Sequence, residues 1–358
     1  MSKKPLSLQV YHIVALFNRQ ARPGALFYLA DNFIHLARLV RLGEKPLEVD
    51  ALAEINPADE DALKRWLSTN FHDFVGRGYV PAYCGFHPAQ RVLVRENLNA
   101  RRFAEANYLS ALVAEHAKVA STKDWQMAAL HPSDGTPPVA DGVIRPGLLL
   151  GIPDEEIIEQ QQRLLKLGMR PRRLEVGSIA LLGCLSQHLV RAGMAHAVVV
   201  CEIERSQTRT YVVAKDGVHT LPALPHGLLS ILESAMNELG SPDVASARQQ
   251  LEDPPEALRT HGRRLVRALS RHLKPAMDHF ELRTGQRIDT FFCAQLPSRL
   301  HWLGQALSSA VELDLFSPNF ESWLAASGLK VTPGEVTLTA SWLPTLSLIT
   351  QLAPLPNG

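Results

Sequence analysis

One order of elements occurs twice in this chain, and that recurrence limits the fold more than any other feature. From Gly24 the segments "ALFYLAD", "IHLARLVRL" and "LEVDALAEI", with a turn at "GEKP", predict a three-stranded antiparallel meander. A helix follows in "EDALKRWLSTNF", capped by Asp59 or Asp61, where Leu63, Trp66, Leu67 and Phe71 recur at helical spacing. The order returns as "HAVVVCEIE", "TRTYVVA", the turn "KDG" and "VHTLPAL", followed by helices in "HGLLSILESAMNELG", "DVASARQQLE" and "PEALRTHGRRLVRALSRHLKPAMDHF". Two β-β-β-α units imply a duplicated protein of two lobes in the α/β class.

Between the repeats, residues 78–167 read as a separate α+β unit. Its predicted elements are the strands "YVPAYCGF" and "RVLVREN", one amphipathic helix "ARRFAEANYLSALVAEHAK", a surface loop "HPSDGTPPVADG" and a strand "GLLLGI". Its last helix, "EEIIEQQQRLLKLG", has Asp154 at the N-cap, acids in the first turn and Gly168 just beyond. A helix from Ser178, "IALLGCLSQHLVRAG", closes the first half, and the second half ends with the strand "RIDTFFCA", a helix "SRLHWLGQALSSA", a short strand "VELDLF" and two helical stretches. The predicted organisation is an N-terminal basic arm 1–22, a first lobe 23–77 plus 168–191, the insert 78–167, a second lobe 192–225 plus 284–354, and its helical part 226–283.

With 358 residues and 46% hydrophobic content, the chain has ample material for two cores. Its formal charge of +1, from 37 basic and 36 acidic residues, provides no global field for nucleic acid or membrane. Cys84, Cys184, Cys201 and Cys293 lie apart in apolar runs, which suits reduced buried thiols in a cytoplasm. The apolar runs are well short of the roughly 18 residues of a membrane span. Fourteen histidines occur without HExxH, CxxC, Walker or GxSxG spacing, and Cys84 with His87 lacks a second ligand pair, so no metal is expected. Ser186, two before His188, reads as the polar face of a buried helix. Arg263, Arg267, Arg271 and Lys274 form one side of a helix whose other side is Leu265, Val266, Leu269 and Leu273, a secondary docking candidate for an acidic partner, anionic lipid or nucleic acid.

The order, with an insert early in the first lobe, resembles the PilM family of type IV pilus assembly proteins, relatives of FtsA with the actin-like (ribonuclease H-like) fold. "LADNFIHLARLVRL" corresponds to the family's first phosphate hairpin, "LLKLGMRPRRLEVGSIALL" to its segment after the insert, and "IDTFFCAQLPSRLHWL" to its adenosine loop. The resemblance implies an ATP and magnesium cleft at Asp31, Arg38, Glu202 and Thr208. It also implies that the cleft is worn: Phe33 and Glu204 stand where the two hairpins have glycine, and Gln295, Leu296 and Pro297 where the adenosine loop has three. Glycine admits an oxyanion to the backbone, a phenyl ring fills that volume, and a second carboxylate at about 4 Å costs around 4 kcal/mol at an effective dielectric near 20.

The function so implied is that of a cytoplasmic scaffold at the inner face of the inner membrane. It would bind the tail of a PilN-like membrane protein and other pilus or secretion assembly proteins, with no nucleic acid and no expected cofactor. The enzyme alternative, an ATPase or sugar-type kinase, would use Asp31, Glu202 and Thr208 around magnesium and phosphate with Arg38 in place of lysine. A basic-helix adaptor is the third class.

Overall fold

The computed structural model describes residues 24–41, 47–72, 79–105, 107–139, 141–193, 196–332, 334 and 336–352. The basic arm and the "GEKP" turn lie outside them.

Both meanders form. In the first half β1 (Gly24–Leu29), β2 (Ile34–Arg41) and β3 (Leu47–Ile55) pair antiparallel, and α1 (Glu60–Asn70) follows. The Asp59 carboxylate accepts the Ala62 amide at 2.8 Å and so starts α1 as predicted. β4 (Val80–Phe86) then pairs in parallel with β1, so this strand, grouped with the insert on sequence, lies in the first sheet.

The three-stranded sheet that follows is β5 (Val92–Asn99), then β6 (Trp125–Leu130) and β7 (Ile144–Pro153), in the order β5-β7-β6, with α2 (Tyr108–Ala117) against it. The single helix predicted over 100–118 is broken. A short 3-10 turn at Ala100–Ala104, with the Asn99 side chain accepting the Arg101 amide, gives way to extended backbone at Glu105. There Arg102 pairs with the Glu105 carboxylate and lies 4.4 Å from the Tyr108 ring centre.

The chain returns to the first sheet through α3 (Asp154–Lys166) and β8 (Met169–Val176), the latter parallel to β4. Pro153, not Asp154, occupies the cap of α3, and the Asp154 carboxylate instead accepts Gln126 Nε2 at 2.7 Å. Next come α4 (Gly177–Ala192) and the second meander, β9 (Ala197–Ile203), β10 (Thr208–Ala214) and β11 (Gly217–Thr220). Five helical segments follow: α5 (Leu228–Leu239), α6 (Val244–Glu252), α7 (Glu256–Thr260), α8 (Gly262–Leu265) and α9 (Arg267–Thr284). The helix predicted over 255–280 is thus interrupted at His261 and Val266. The break seats Gly262 so close to the helix at Trp302–Val311 that a Cβ there would lie 2.9 Å from the Ala306 Cβ. Then come β12 (Ile288–Ala294), α10 (Trp302–Val311), β13 (Asp314–Leu315), α11 (Phe320–Ser327), β14 (Leu329–Val331) and α12 (Leu343–Thr350).

The sheet orders expose the duplication. The first reads β14-β3-β2-β1-β4-β8 and the second β11-β10-β9-β12-β13, so each has an antiparallel meander whose first strand pairs in parallel with the next. α4 and α12 lie between the sheets: Leu181, Leu182, Leu185 and Leu189 pack with Val198 and Val200, while Ala180, Trp342 and Leu346 pack with Leu26 and Tyr28. The outer faces are covered by α1 and α3 on one sheet and by α5 to α10 on the other. β9 alternates between these cores, with Val199, Cys201 and Ile203 outward and Val198, Val200 and Glu202 inward. The insert leans on the β11 edge, where Arg95 donates to the Val218 carbonyl at 3.0 Å and Asp216 at 2.8 Å.

Candidate functional site

The β1–β2 turn, the β9–β10 turn and the loop after β12 meet at one junction, as two meanders of one plan require. Asn32 crosses it: its Nδ2 donates to the Ile203 carbonyl at 3.1 Å and the Gln295 carbonyl at 3.3 Å. Asp31 accepts the Arg205 amide at 3.1 Å, so a carboxylate of the first turn takes up a backbone donor of the second. The Glu204 amide is engaged by the Gln207 carbonyl within its own turn. Backbone donors of this kind would hold a phosphate in a phosphate-binding hairpin.

Behind the turns lies a buried charge cluster. Arg91, from the β4–β5 connection, donates to Glu202 at 2.9 Å and pairs with Glu204 at 2.6 Å, and all three side chains are nearly or wholly withdrawn from solvent. Arg209 adds a bond to Glu204 at 3.1 Å, so two arginines offset two glutamates. Ser178, at the start of α4, donates to Glu202 at 2.8 Å. Burial would lower the Arg91 pKa, but the Tyr211 phenol and the two carboxylates outweigh it and raise it. Burial raises that of Glu202 in spite of Arg91.

His87 completes the cluster. Gln295 Nε2, which can only donate, approaches its Nδ1 at 2.9 Å, leaving the ring proton on Nε2 to reach the Tyr28 hydroxyl at 2.8 Å. Burial, then the charges of Arg91 and Arg209, hold the ring neutral with a pKa well below its ordinary value. Gln295 itself has φ of +64°, a left-handed backbone suited to glycine, yet its side chain is buried in the junction. Alongside, the Glu54 carboxylate of β3 accepts the Ser298 amide at 3.0 Å and hydroxyl at 2.7 Å, and takes His35 Nε2 at 2.8 Å. The His35 ring is stacked 3.8 Å from Trp342.

Of the four residues predicted for a nucleotide cleft, three lie at or beside the junction. Asp31 and Glu202 are bound as above, and the Thr208 hydroxyl donates to the His226 carbonyl at 2.7 Å. Arg38 is not with them. It shares the sheet face of Ile34 and Leu36, forms a bidentate pair with Asp50 and donates to the Asn70 carbonyl at 3.1 Å. Phe33 also departs from expectation: its ring packs in the inner core 4.3 Å from His35, and Asn32 is the residue that spans the gap. Glu204 is neutralised by two arginines, so it obstructs by volume more than by repulsion. Sequence spacing missed Arg91, His87 and Asn32.

These groups do not fit ATP with magnesium: the Glu204 and Arg205 amides are bonded within the protein, one oxygen of each acid accepts from it, and a buried glutamine side chain stands at the glycine-type position of Gln295. A recess of about 550 Å³ lined by His196, Lys215, Asp216 and Arg287 lies at the opposite end of the second sheet, by the β10–β11 turn.

No protein-family model matches the sequence, and no curated protein matches it. Among solved structures it is similar to a chain of the PilM-PilN type IV pilus biogenesis complex, with a TM-score of 0.67 and 15% identity over 93% of this chain and 99% of that one. In fold the chain is PilM-like. The two-lobe actin-like architecture read from the sequence is therefore the fold observed. A Bacteroides thetaiotaomicron protein with the actin-like ATPase fold (TM-score 0.45, 8% identity, 92% of this chain and 96% of that) is a looser match. So is the cytoplasmic domain of EpsL from Vibrio cholerae (0.41, 11%, 92% and 94%).

Two predictions follow from the junction of this PilM-like fold. Arg91→Met leaves Glu202 and Glu204 buried with one partner fewer and should cost about 3–5 kcal/mol in urea unfolding, much of it recovered by adding Glu202→Gln. His87 is neutral when folded but takes a proton near pH 6.5 when unfolded, so the stability it contributes is present above that pH and is lost as pH falls below it. His87→Gln should therefore lessen the loss of stability between pH 6 and 5 by up to about 1.4 kcal/mol per pH unit, and an unchanged slope would refute the assignment.

Proposed function

We propose that this chain is an assembly protein of a type IV pilus or related secretion machine, binding the cytoplasmic tail of a PilN-like inner-membrane protein and taking no nucleotide. The observation that carries the reading is the engaged junction: a fold that elsewhere grips nucleotide here holds its own side chains, which leaves binding as the work of its surfaces. The likeness to a PilM chain solved with PilN supports the choice of partner. On this reading the protein is cytoplasmic and reaches the inner membrane through that partner. Among the described residues no helix is long and apolar enough to cross a membrane.

The tail is assigned to the outer edge of β6. This strand, "WQMAAL", has no charge and no proline, although edge strands are ordinarily blunted by one or the other. Among the described residues no strand pairs with its outer side. Pro153, which lacks an amide, stands opposite Trp125, so ladder bonding to β7 falls on Gln126, Ala128 and Leu130. Trp125, Met127 and Ala129 therefore direct their backbone groups outward, where an extended tail can add as a fourth strand. Next to it, α3, whose Asp154 accepts from Gln126 of this strand, exposes Ile158 and Leu165.

The test is fluorescence anisotropy with a labelled peptide of the PilN-like tail from the same source. Met127→Pro removes one outward amide without breaking the β7 ladder, and it should weaken binding at least about tenfold while circular dichroism is unchanged. Equal affinity of variant and native chain would move the site elsewhere, and no binding by the native chain would reject the partner.

A further inference from the structure

The helical part of the second half carries a charged face that the assembly reading does not use. On α9 the buried side is Leu269, Leu273, Met277 and Phe280. On the other side Arg267, Arg271, Lys274 and Leu282 fall within about 80° of arc at 100° per residue, with Arg263 of the preceding α8 exposed beside them. Among the described residues no acid pairs with Arg263, Arg267 or Arg271, whereas neighbouring Arg264 and Lys274 reach Glu238 at 4.0 Å and Glu312 at 3.7 Å. Asp278 is the acid on the face itself. Leu282, at its end, is 88% exposed, the most exposed large apolar side chain described.

We propose that this face docks directly on anionic phospholipid. Its charge is complementary to phosphate headgroups, and it is local in a chain whose formal charge is only +1. Arginines of one sign beside an exposed leucine suit an interface at which cations meet headgroups while an apolar side chain enters the acyl boundary. A single strand would call for stacking aromatics, of which this face has none, and a duplex would leave the exposed Leu282 without a use. The contact is independent of the proposed tail, since it requires lipid alone, and it would hold the protein against the membrane at a second point.

The experiment is flotation of the purified full chain with vesicles of 70% phosphatidylcholine and 30% phosphatidylglycerol in 50 mM salt, compared with pure phosphatidylcholine. The chain should float with the anionic vesicles alone and be released at 1 M salt, where the screening length falls to about 3 Å. Replacing Arg263, Arg267 and Arg271 together by glutamine should reduce partitioning about 100-fold, at about fivefold per arginine. Leu282→Ser should weaken it further, and thermal unfolding should show every variant folded. Equal flotation with both vesicle types, or an unaffected triple variant, would overturn the proposal. Binding to polyglutamate or duplex DNA with none to vesicles would overturn it too and make the face a site for an acidic macromolecule.

Discussion

The guanidinium of Arg91 settles what the junction of the two sheets can contain. It comes from the connection between the first sheet and the insert, yet its partners, Glu202 and Glu204, belong to the second meander. Taking an arginine and two glutamates out of water is costly, and only their close mutual contact offsets it. The cluster is therefore held together or lost together. Ser178, Arg209 and Tyr211 add bonds to it, and the neutral His87 lies beside it.

The duplicated plan explains why the junction lies where it does. Each meander presents a turn at the same end of its sheet, and packing the sheets across α4 and α12 brings the two turns together. In a nucleotide-binding protein of this architecture such turns would face a phosphate. Here Asp31 fills that role toward the Arg205 amide, and Asn32 bridges to Ile203 and Gln295. Glu54 binds the Ser298 loop to the first sheet through a separate contact. The two halves are thus linked by protein groups where the turns meet.

The meanders were legible because alternation and turn residues act locally, and the PilM-like fold was reached through their order. Side-chain destinations were not. Arg38 falls at the spacing of a phosphate lysine, but strand parity puts it on the face of Ile34 and Leu36, toward Asp50. Phe33 was read as filling the cleft, yet one position away Asn32 has that task. Arg91 gave no sign at all, because its partner Glu202 lies 111 positions along the chain and no local pattern encodes the meeting. Short or amphiphilic strands such as β6, β8 and β14 were missed for a related reason: their pairing partners, not their periodicity, make them strands. Long helical patterns over 100–118 and 255–280 ran past real breaks, beside which Arg102 pairs with Glu105 and Gly262 lies close against α10.

The central claim, that protein side chains have taken the place of nucleotide, is tested most directly by isothermal titration of the full chain with ATP and magnesium. The account predicts no saturable heat at millimolar nucleotide. Binding at micromolar affinity, about −8 kcal/mol, would mean that the Arg91 cluster opens to admit phosphate and would contradict it.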